Sequence, residues 1–235
     1  MEDSYASQSP LILFAMKEEL AAVPRLGAKS GWRWRREGKE FRLSKGSASF
    51  DVVISGPGRL NVIDTLKGRS PSAVINPGFA GSISRRFDVG QIARIASVRC
   101  GPELLEVTLG TADLQDVPDA KIVTAPAPLG AADKMAMFKD QAGDLVDMET
   151  FHVLNFCREK QIPFLGLRVV SDNLEDELPV VIKESFDGRQ FQLRKIITRA
   201  IFSSKTRREL LKLKRSSQTA AEALADGLLK ALELL

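Results

Sequence analysis

The sequence predicts an α/β fold with a mainly parallel or mixed sheet and helices on its faces. Three observations predict it. Apolar, β-branched runs of strand length recur along the chain and alternate with segments of helical period. Several of these runs end in turns built from glycine, proline, asparagine or serine. The chain has 235 residues, 44% hydrophobic and 27% charged, which suffices for a core that needs no disulfide or metal staple.

Leu11–Ala15 reads as a buried first strand, followed by a helix from about Lys17 that meets Pro24. Phe41–Leu43 and Phe50–Ile54 are strand-like, the second running into Ser55-Gly56-Pro57-Gly58. Asn61–Leu66 has helical character. Ala73–Ile75 is a short strand, ending in the turn-like Asn76-Pro77-Gly78-Phe79-Ala80-Gly81. Gln91–Val98, Glu106–Leu109 and Lys121–Thr124 follow as strands. Ala131–Lys139 is helical, and Glu149–Lys160 places apolar or small residues 150, 153, 154 and 157 on one helical face. Pro163 opens a strand to Val170. Ser217–Leu235 closes the chain as an amphipathic helix, with Ala221, Leu224, Ala225, Leu228 and Leu232 on one stripe. Residues 1–10 read as a flexible N-terminus and 11–235 as one domain, without repeat or linker.

Cys100 and Cys157 form no metal or redox spacing, which points to a reducing, cytoplasmic compartment. The N-terminal residues lack the basic start and apolar core of a signal peptide, and no apolar run is long enough to span a membrane. No spacing suggests a metal or an organic cofactor. The net charge, +4, is mild, but basic residues crowd into Arg189–Arg215 among Leu193, Ile196, Ile197, Ile201 and Leu210. That stretch is either a set of solvated helix faces or an amphipathic surface for anionic lipid, which would make the protein membrane-peripheral. Aromatic residues do not interleave with these charges, so nucleic acid is not an expected partner.

The most telling pair of segments is Val169-Val170-Ser171-Asp172-Asn173 and Val146-Asp147-Met148-Glu149-Thr150. Each puts a carboxylate where an apolar run ends or a helix begins. In open α/β sheets ligands bind beyond the carboxyl ends of the strands. One acid there could protonate a leaving group while the other holds a hydroxylated substrate.

An ordered set of motifs matches one family. Leu11-Ile12-Leu13-Phe14-Ala15-Met16-Lys17-Glu18-Glu19-Leu20, Ser55-Gly56-Pro57-Gly58, Val74-Ile75-Asn76-Pro77-Gly78-Phe79-Ala80-Gly81, Phe87-Asp88-Val89-Gly90-Gln91-Ile92, Asp147-Met148-Glu149 and Arg168-Val169-Val170-Ser171-Asp172 together resemble the nucleoside phosphorylase/nucleosidase family 1, which includes the 5′-methylthioadenosine/S-adenosylhomocysteine nucleosidases. The agreement spans roughly residues 11–180. The tail, with Leu178-Pro179, a basic-apolar segment and an Ala-rich helix, is most similar to the hopanoid-associated phosphorylases of that family. The resemblance implies a single three-layer domain with a central mixed, partly barrel-like sheet, an enzyme acting on a purine nucleoside, a homodimer, and no cofactor beyond phosphate in the phosphorylases.

It also implies roles. Asp172 corresponds to the general acid, whose protonated carboxyl near purine N7 makes the base a better leaving group when burial raises its proton affinity, and Ser171 beside it would bind the substrate. A turn or cap role suits the same Ser-Asp-Asn. Glu149 corresponds to the ribose-binding glutamate, since a carboxylate can accept from two adjacent hydroxyls, and Met148 would pack on the sugar. Glu149 could equally stabilise a helix first turn. Glu19 corresponds to the nucleosidase glutamate that positions the attacking water, where phosphorylases carry a glycine and an arginine; the other reading is decoration of a helix start. Phe79, Ala80 and Gly81 would line the pocket. Gly56, Gly58, Gly78 and Gly81 read as turns that let backbone approach a ligand. Arg59 is the one cation placed to hold phosphate if the protein is a phosphorylase.

Three departures stand out. Phe79 replaces a small residue, Ser82 replaces a second glycine, and Arg99-Cys100-Gly101-Pro102 lacks the His-Asp pair usual in the nucleosidases. His152, the sole histidine, is expected to pack or face solvent rather than act. The expected activity is therefore hydrolysis of the N-glycosidic bond of an adenosine-type nucleoside. A phosphate-dependent phosphorylase and a non-catalytic nucleoside-binding or membrane-associated protein are the rivals.

Overall fold

The run Leu11–Phe14 forms β1, buried at every position with a parallel partner on each edge. A strand covered on both faces reads as continuously apolar. Its alternate side chains serve different cores. Leu11 and Leu13 join Val62, Leu66, Val153 and Leu154 on one face. Ile12 and Phe14 join Leu20, Val23, Leu224 and Leu228 on the other. The structure, a computed structural model, describes residues 9–108, 114 and 116–235. Most of the N-terminus expected to be flexible, and Leu109 of an expected strand, lie outside the described residues.

Beyond one edge of β1 lie β4 (Ala48–Ile54), β3 (Glu40–Lys45) and β2 (Arg33–Glu37), antiparallel hairpin neighbours. Beyond the other lies β5 (Val74–Ser82), which belongs to a closed ring. β5 pairs with β10 (Phe164–Asp172), β10 with β6 (Ile92–Cys100), β6 with β8 (Asp119–Thr124), β8 with β9 (Leu145–Asp147), and β9 returns to β5. The sheet is mixed, five strands closing as a small barrel and the rest extending from it. β7 (Glu103–Glu106) pairs with β6.

The helices α1 (Lys17–Leu20), α2 (Val23–Lys29) and α8 (Ser204–Leu232) cover one face, while α3 (Arg59–Leu66) and α5 (Thr150–Lys160) cover the other. The remaining three are α4 (Ala131–Lys139), α6 (Val180–Ser185) and α7 (Leu193–Phe202). The buried stripe of α8 contains Ala221, Leu224, Ala225, Leu228 and Leu232, as its spacing predicts, and the α5 face 150, 153, 154 and 157 is buried too.

Several boundaries differ from expectation. Pro24 does not stop a helix; it occupies the first turn of α2, where a missing N–H costs nothing. The final helix starts at Ser204 rather than Ser217, its cap Ser203 accepting a hydrogen bond from the Thr206 N–H. β2 and β9 were not anticipated. Most consequential, Asn76–Gly81 is not a turn but the middle of β5, in register with β10 from Val74 to Gly81. β1 leaves β5 after Ile75 and β9 joins it only at Gly81, so Pro77 and its neighbours are laddered on one edge alone. Proline is tolerated in a strand under that condition. The open edge is where the site forms.

Candidate active site

A cavity of about 370 Å³ lies where β1, β5, β9 and β10 leave the sheet. It brings together Glu19, Phe79, Ala80, Gly81, Met148, Glu149, Ser171 and Asp172, residues drawn from four separate segments of the sequence.

Glu19 is 3% exposed. Its Oε2 accepts from the N–H groups of Ala15 and Met16, each at 2.8 Å, which tie down the start of α1. Its Oε1 accepts from Phe79 N–H at 2.9 Å, a backbone donor on the open edge of β5. Glu19 thus caps the start of α1, as its helix-start reading expects, and also crosses to β5 at the edge of the cavity. Burial pushes its carboxyl above the usual carboxylate range, against the pull of the Phe79 and Met16 N–H groups and the Arg168 charge.

Glu149 is the N-cap residue of α5 and is buried. Its Oε1 accepts from Gly58 N–H at 2.7 Å and its Oε2 from Met148 N–H at 3.2 Å. Burial first, then the nearby Asp147 and Glu19 charges, push it up to about 8. Gly56 and Gly58 adopt φ of 93° and 83°, a conformation that favours glycine, and this bends the loop so that the Gly58 amide meets Glu149. Pro57, rather than either glycine, lines the cavity.

Gly78 and Gly81 are strand residues and do not form turns. They make room for acids instead. A Cβ at Gly78 would lie 2.9 Å from Glu19 Oε1, and one at Gly81 would lie 3.0 Å from Asp172 Oδ2.

Asp172 ends β10. Its Oδ1 accepts from Ser171 Oγ at 2.6 Å and its Oδ2 from Lys134 Nζ at 2.8 Å. The burial expected for this acid is not found: its side chain is 30% exposed, whereas that of Lys134 is 1% exposed. Lys134 also donates to the Asn173 carbonyl. This lysine, from α4, was missed in the sequence, where a single cation beside Ala131 and Ala132 looks like a solvated helix residue.

A second unforeseen group braces the site from behind. Arg168 is 2% exposed and donates to Asp147 Oδ2 at 2.9 and 3.1 Å, to Asn76 Oδ1 at 2.7 Å and to Thr150 Oγ1 at 2.6 Å. Asp147 also accepts from Thr150 N–H and from Thr124 Oγ1, which fixes the start of α5 and hence Glu149. Asn76 Nδ2 donates to Leu13 O at 2.8 Å, tying β5 back to β1.

Arg59 does not reach the cavity. It is an exposed residue at the start of α3, and its charge acts on Cys100 and His152. His152 is half-buried with its ring edge-on to Phe151, consistent with packing. The far wall of the cavity is apolar: Leu178, Ile182, Phe191, Leu193, Ile196 and Leu213.

Residues 102–203 match the sequence model of the phosphorylase superfamily. Among curated proteins none matches the sequence. The fold is similar over nearly its whole length to solved structures named as nucleosidases. A variant of the MTAN of Chlamydia trachomatis is 19% identical, with a TM-score of 0.66 over 97% of this chain and 100% of that one. A putative 5′-methylthioadenosine/S-adenosylhomocysteine nucleosidase of Francisella philomiragia is 15% identical, with a TM-score of 0.66 and the same coverage. The nucleosidase of Helicobacter pylori is 16% identical, with a TM-score of 0.62 over 95% of this chain and 99% of that one. The mixed, partly barrel-like fold that the resemblance implies is borne out, and the match over residues 102–203 agrees with the resemblance carried by the motifs.

Proposed function

We propose that the protein is a nucleosidase that hydrolyses the N-glycosidic bond of an adenosine-type purine nucleoside. The superfamily match and the nucleosidase fold support an enzyme that cleaves this bond by hydrolysis or phosphorolysis. The observation that favours water over phosphate is Glu19, held by three backbone N–H groups at the edge of the cavity. A carboxylate there repels phosphate and can take a proton from water, the more readily because burial raises its proton affinity.

In this reading the sugar's hydroxyls are held by Glu149, with the Met148 thioether packed on the ring. As the bond to the base stretches, positive charge grows on the sugar, and the surrounding carboxylates stabilise it. Asp172 passes to the departing purine a proton drawn from the Lys134 ammonium, which lies 2.8 Å from its Oδ2 and is left neutral. The electron pair of the broken bond stays on the base. Water attacks the anomeric carbon and gives its proton to Glu19, which leaves a free sugar and a free base. No metal or organic cofactor takes part in this scheme.

The apolar far wall favours an apolar 5′ substituent, methylthio or a hopanoid chain, over a free hydroxyl. A homodimer is the expected assembly. One assay tests the reading: base release from a panel of adenosine-type nucleosides, with and without inorganic phosphate. Free sugar at the same rate under both conditions is the expected result. A rate that depends on phosphate, with sugar 1-phosphate as product, would establish the phosphorylase instead, and binding without turnover would establish a non-catalytic protein.

A further inference from the structure

Among the described residues, α7 is the one helix that buries none of its own side chains. Leu193, Ile197 and Ile201 recur every four residues along it and are 67%, 56% and 63% exposed. That spacing makes one ridge. Phe202 follows at 86%, and Val180 in α6 and Leu211 in α8, helices that contact α7, are exposed as well. Around this apolar surface residues 189–215 carry ten lysines and arginines and one acid, Glu209. Arg189, Arg199, Lys205 and Lys212 pair with Asp64, Glu184, Glu209 and Asp176. Arg207 closes the end of α7 by donating to the Ala200 and Ile201 carbonyls. Arg194, Lys195, Arg208, Lys214 and Arg215 make no ion pair among the described residues.

The charge decides what covers this face. A second copy would bring the same cations against these, and like charges across an interface oppose association. A nucleic acid would neutralise the cations and leave Ile197, Ile201 and Phe202 in water. An anionic lipid surface meets both demands, since an amphipathic helix lying in the headgroup plane buries its apolar side and offers its cations to phosphates. No helix among the described residues is long and apolar enough to cross a membrane, so the contact is peripheral. We propose that α7 and the first half of α8 dock this protein on an anionic lipid surface. Leu193 and Ile196 also line the cavity, so docking sets the mouth of the site against the lipid. The contact holds whatever reaction the cavity performs.

The test is co-sedimentation of the full chain with phosphatidylcholine vesicles, with and without phosphatidylglycerol, at low and high salt. Binding only to the anionic vesicles, reversed by salt, is expected. Two variants probe the two components, Ile197→Asp with Ile201→Asp for the ridge and Arg194→Gln with Lys195→Gln for the charge. Each should weaken binding at least about tenfold, since a basic residue near such a surface contributes on that scale. Neither should change thermal stability, or base release measured without vesicles. Absence of binding to anionic vesicles, or equal binding to neutral ones, would overturn the proposal. So would an oligomer, seen by light scattering, that Ile197→Asp with Ile201→Asp dissociates, because the ridge would then be an interface between copies.

Discussion

Glu149→Gln separates what the carboxyl at this position does to stability from what it does to catalysis. Glu149 is held up to about 8 by burial and by the charges of Asp147 and Glu19, whereas in the unfolded chain it titrates near 4.5. Between those two values the folded protein binds a proton that the unfolded chain lacks. Stability therefore falls as pH rises through this window, is highest below its lower end, and levels off above its upper end. At about 1.4 kcal/mol per pH unit the window bounds the loss at about 5 kcal/mol, and sharing of the charge with Asp147 and Glu19 lowers it to roughly 2–5 kcal/mol. For a chain of this size that is a fall in Tm of roughly 5–15 °C between pH 5 and pH 9. Glutamine cannot ionise. It keeps an acceptor for the Gly58 N–H but loses the one for Met148, a pH-independent cost of about 1–2 kcal/mol. Calorimetry from pH 5 to pH 9 should show the variant below wild type at pH 5, with a distinctly flatter profile, so that the gap closes or inverts by pH 9. A gap that stays constant to within about 2 °C across the range would show that Glu149 is not the titrating group, and the account of its burial would fail.

Asp172→Asn should lower turnover at least about 100-fold, and near-normal turnover would remove Asp172 as the acid; because it also strips the buried Lys134 ammonium of its carboxylate, Tm should fall as well. Gly78→Ala places a Cβ 2.9 Å from Glu19 Oε1 and 3.3 Å from Arg168 Nη1. Its turnover should fall by at least about tenfold as Glu19 shifts, and an unchanged rate would mean that the exact seat of Glu19 does not matter. Arg168→Met leaves the Asp147 charge buried without its cation, and urea unfolding should show a loss of about 3–5 kcal/mol. Adding Asp147→Leu should recover part of that loss, and a double variant less stable than the single one would contradict the pairing.

The sequence carried the architecture where physics is local. Apolar runs such as Leu11–Phe14 and the stripe of Leu224, Ala225 and Leu228 are legible because burial on one or both faces dictates them directly. The carboxylates were found through motifs that join distant segments. What escaped depends on partners far along the chain. Asn76-Pro77-Gly78 looks like a turn because its residues favour one, and only one-sided pairing with β10 makes it a strand. The strand β2, Arg33–Glu37, has four charged residues in five and lies at the exposed edge of the sheet, so no alternation marks it. Lys134 and Arg168 look like surface cations until Asp172 and Asp147 are found beside them. The expectation that Asp172 would be buried assigned to the acid the burial that its lysine receives.

The choice between water and phosphate rests on which donors the site leaves free. A phosphate needs several hydrogen-bond donors or cations converging on it, and three near this cavity could serve. The Gly58 amide, in the glycine-rich loop, is taken by Glu149. The Arg168 guanidinium is spent on Asp147, Asn76, Thr150 and the Leu167 carbonyl. Lys134 is paired with Asp172 and the Asn173 carbonyl. Arg59, the remaining candidate, lies outside the lining. The described lining instead presents Glu18, Glu19, Asp147, Glu149 and Asp172 against the single cation Lys134. An incoming anion would have to break an existing pair to find a donor, and those acids of the lining that are ionised would repel it. Neutral water meets no such barrier, and a sugar that turns cationic as its bond to the base breaks is drawn to the same carboxylates. In the proposed reaction the acids that disfavour phosphate are also the ones that stabilise the transition state, so a mutation that opens the site to phosphate by removing one of them should also slow the cleavage it was meant to redirect.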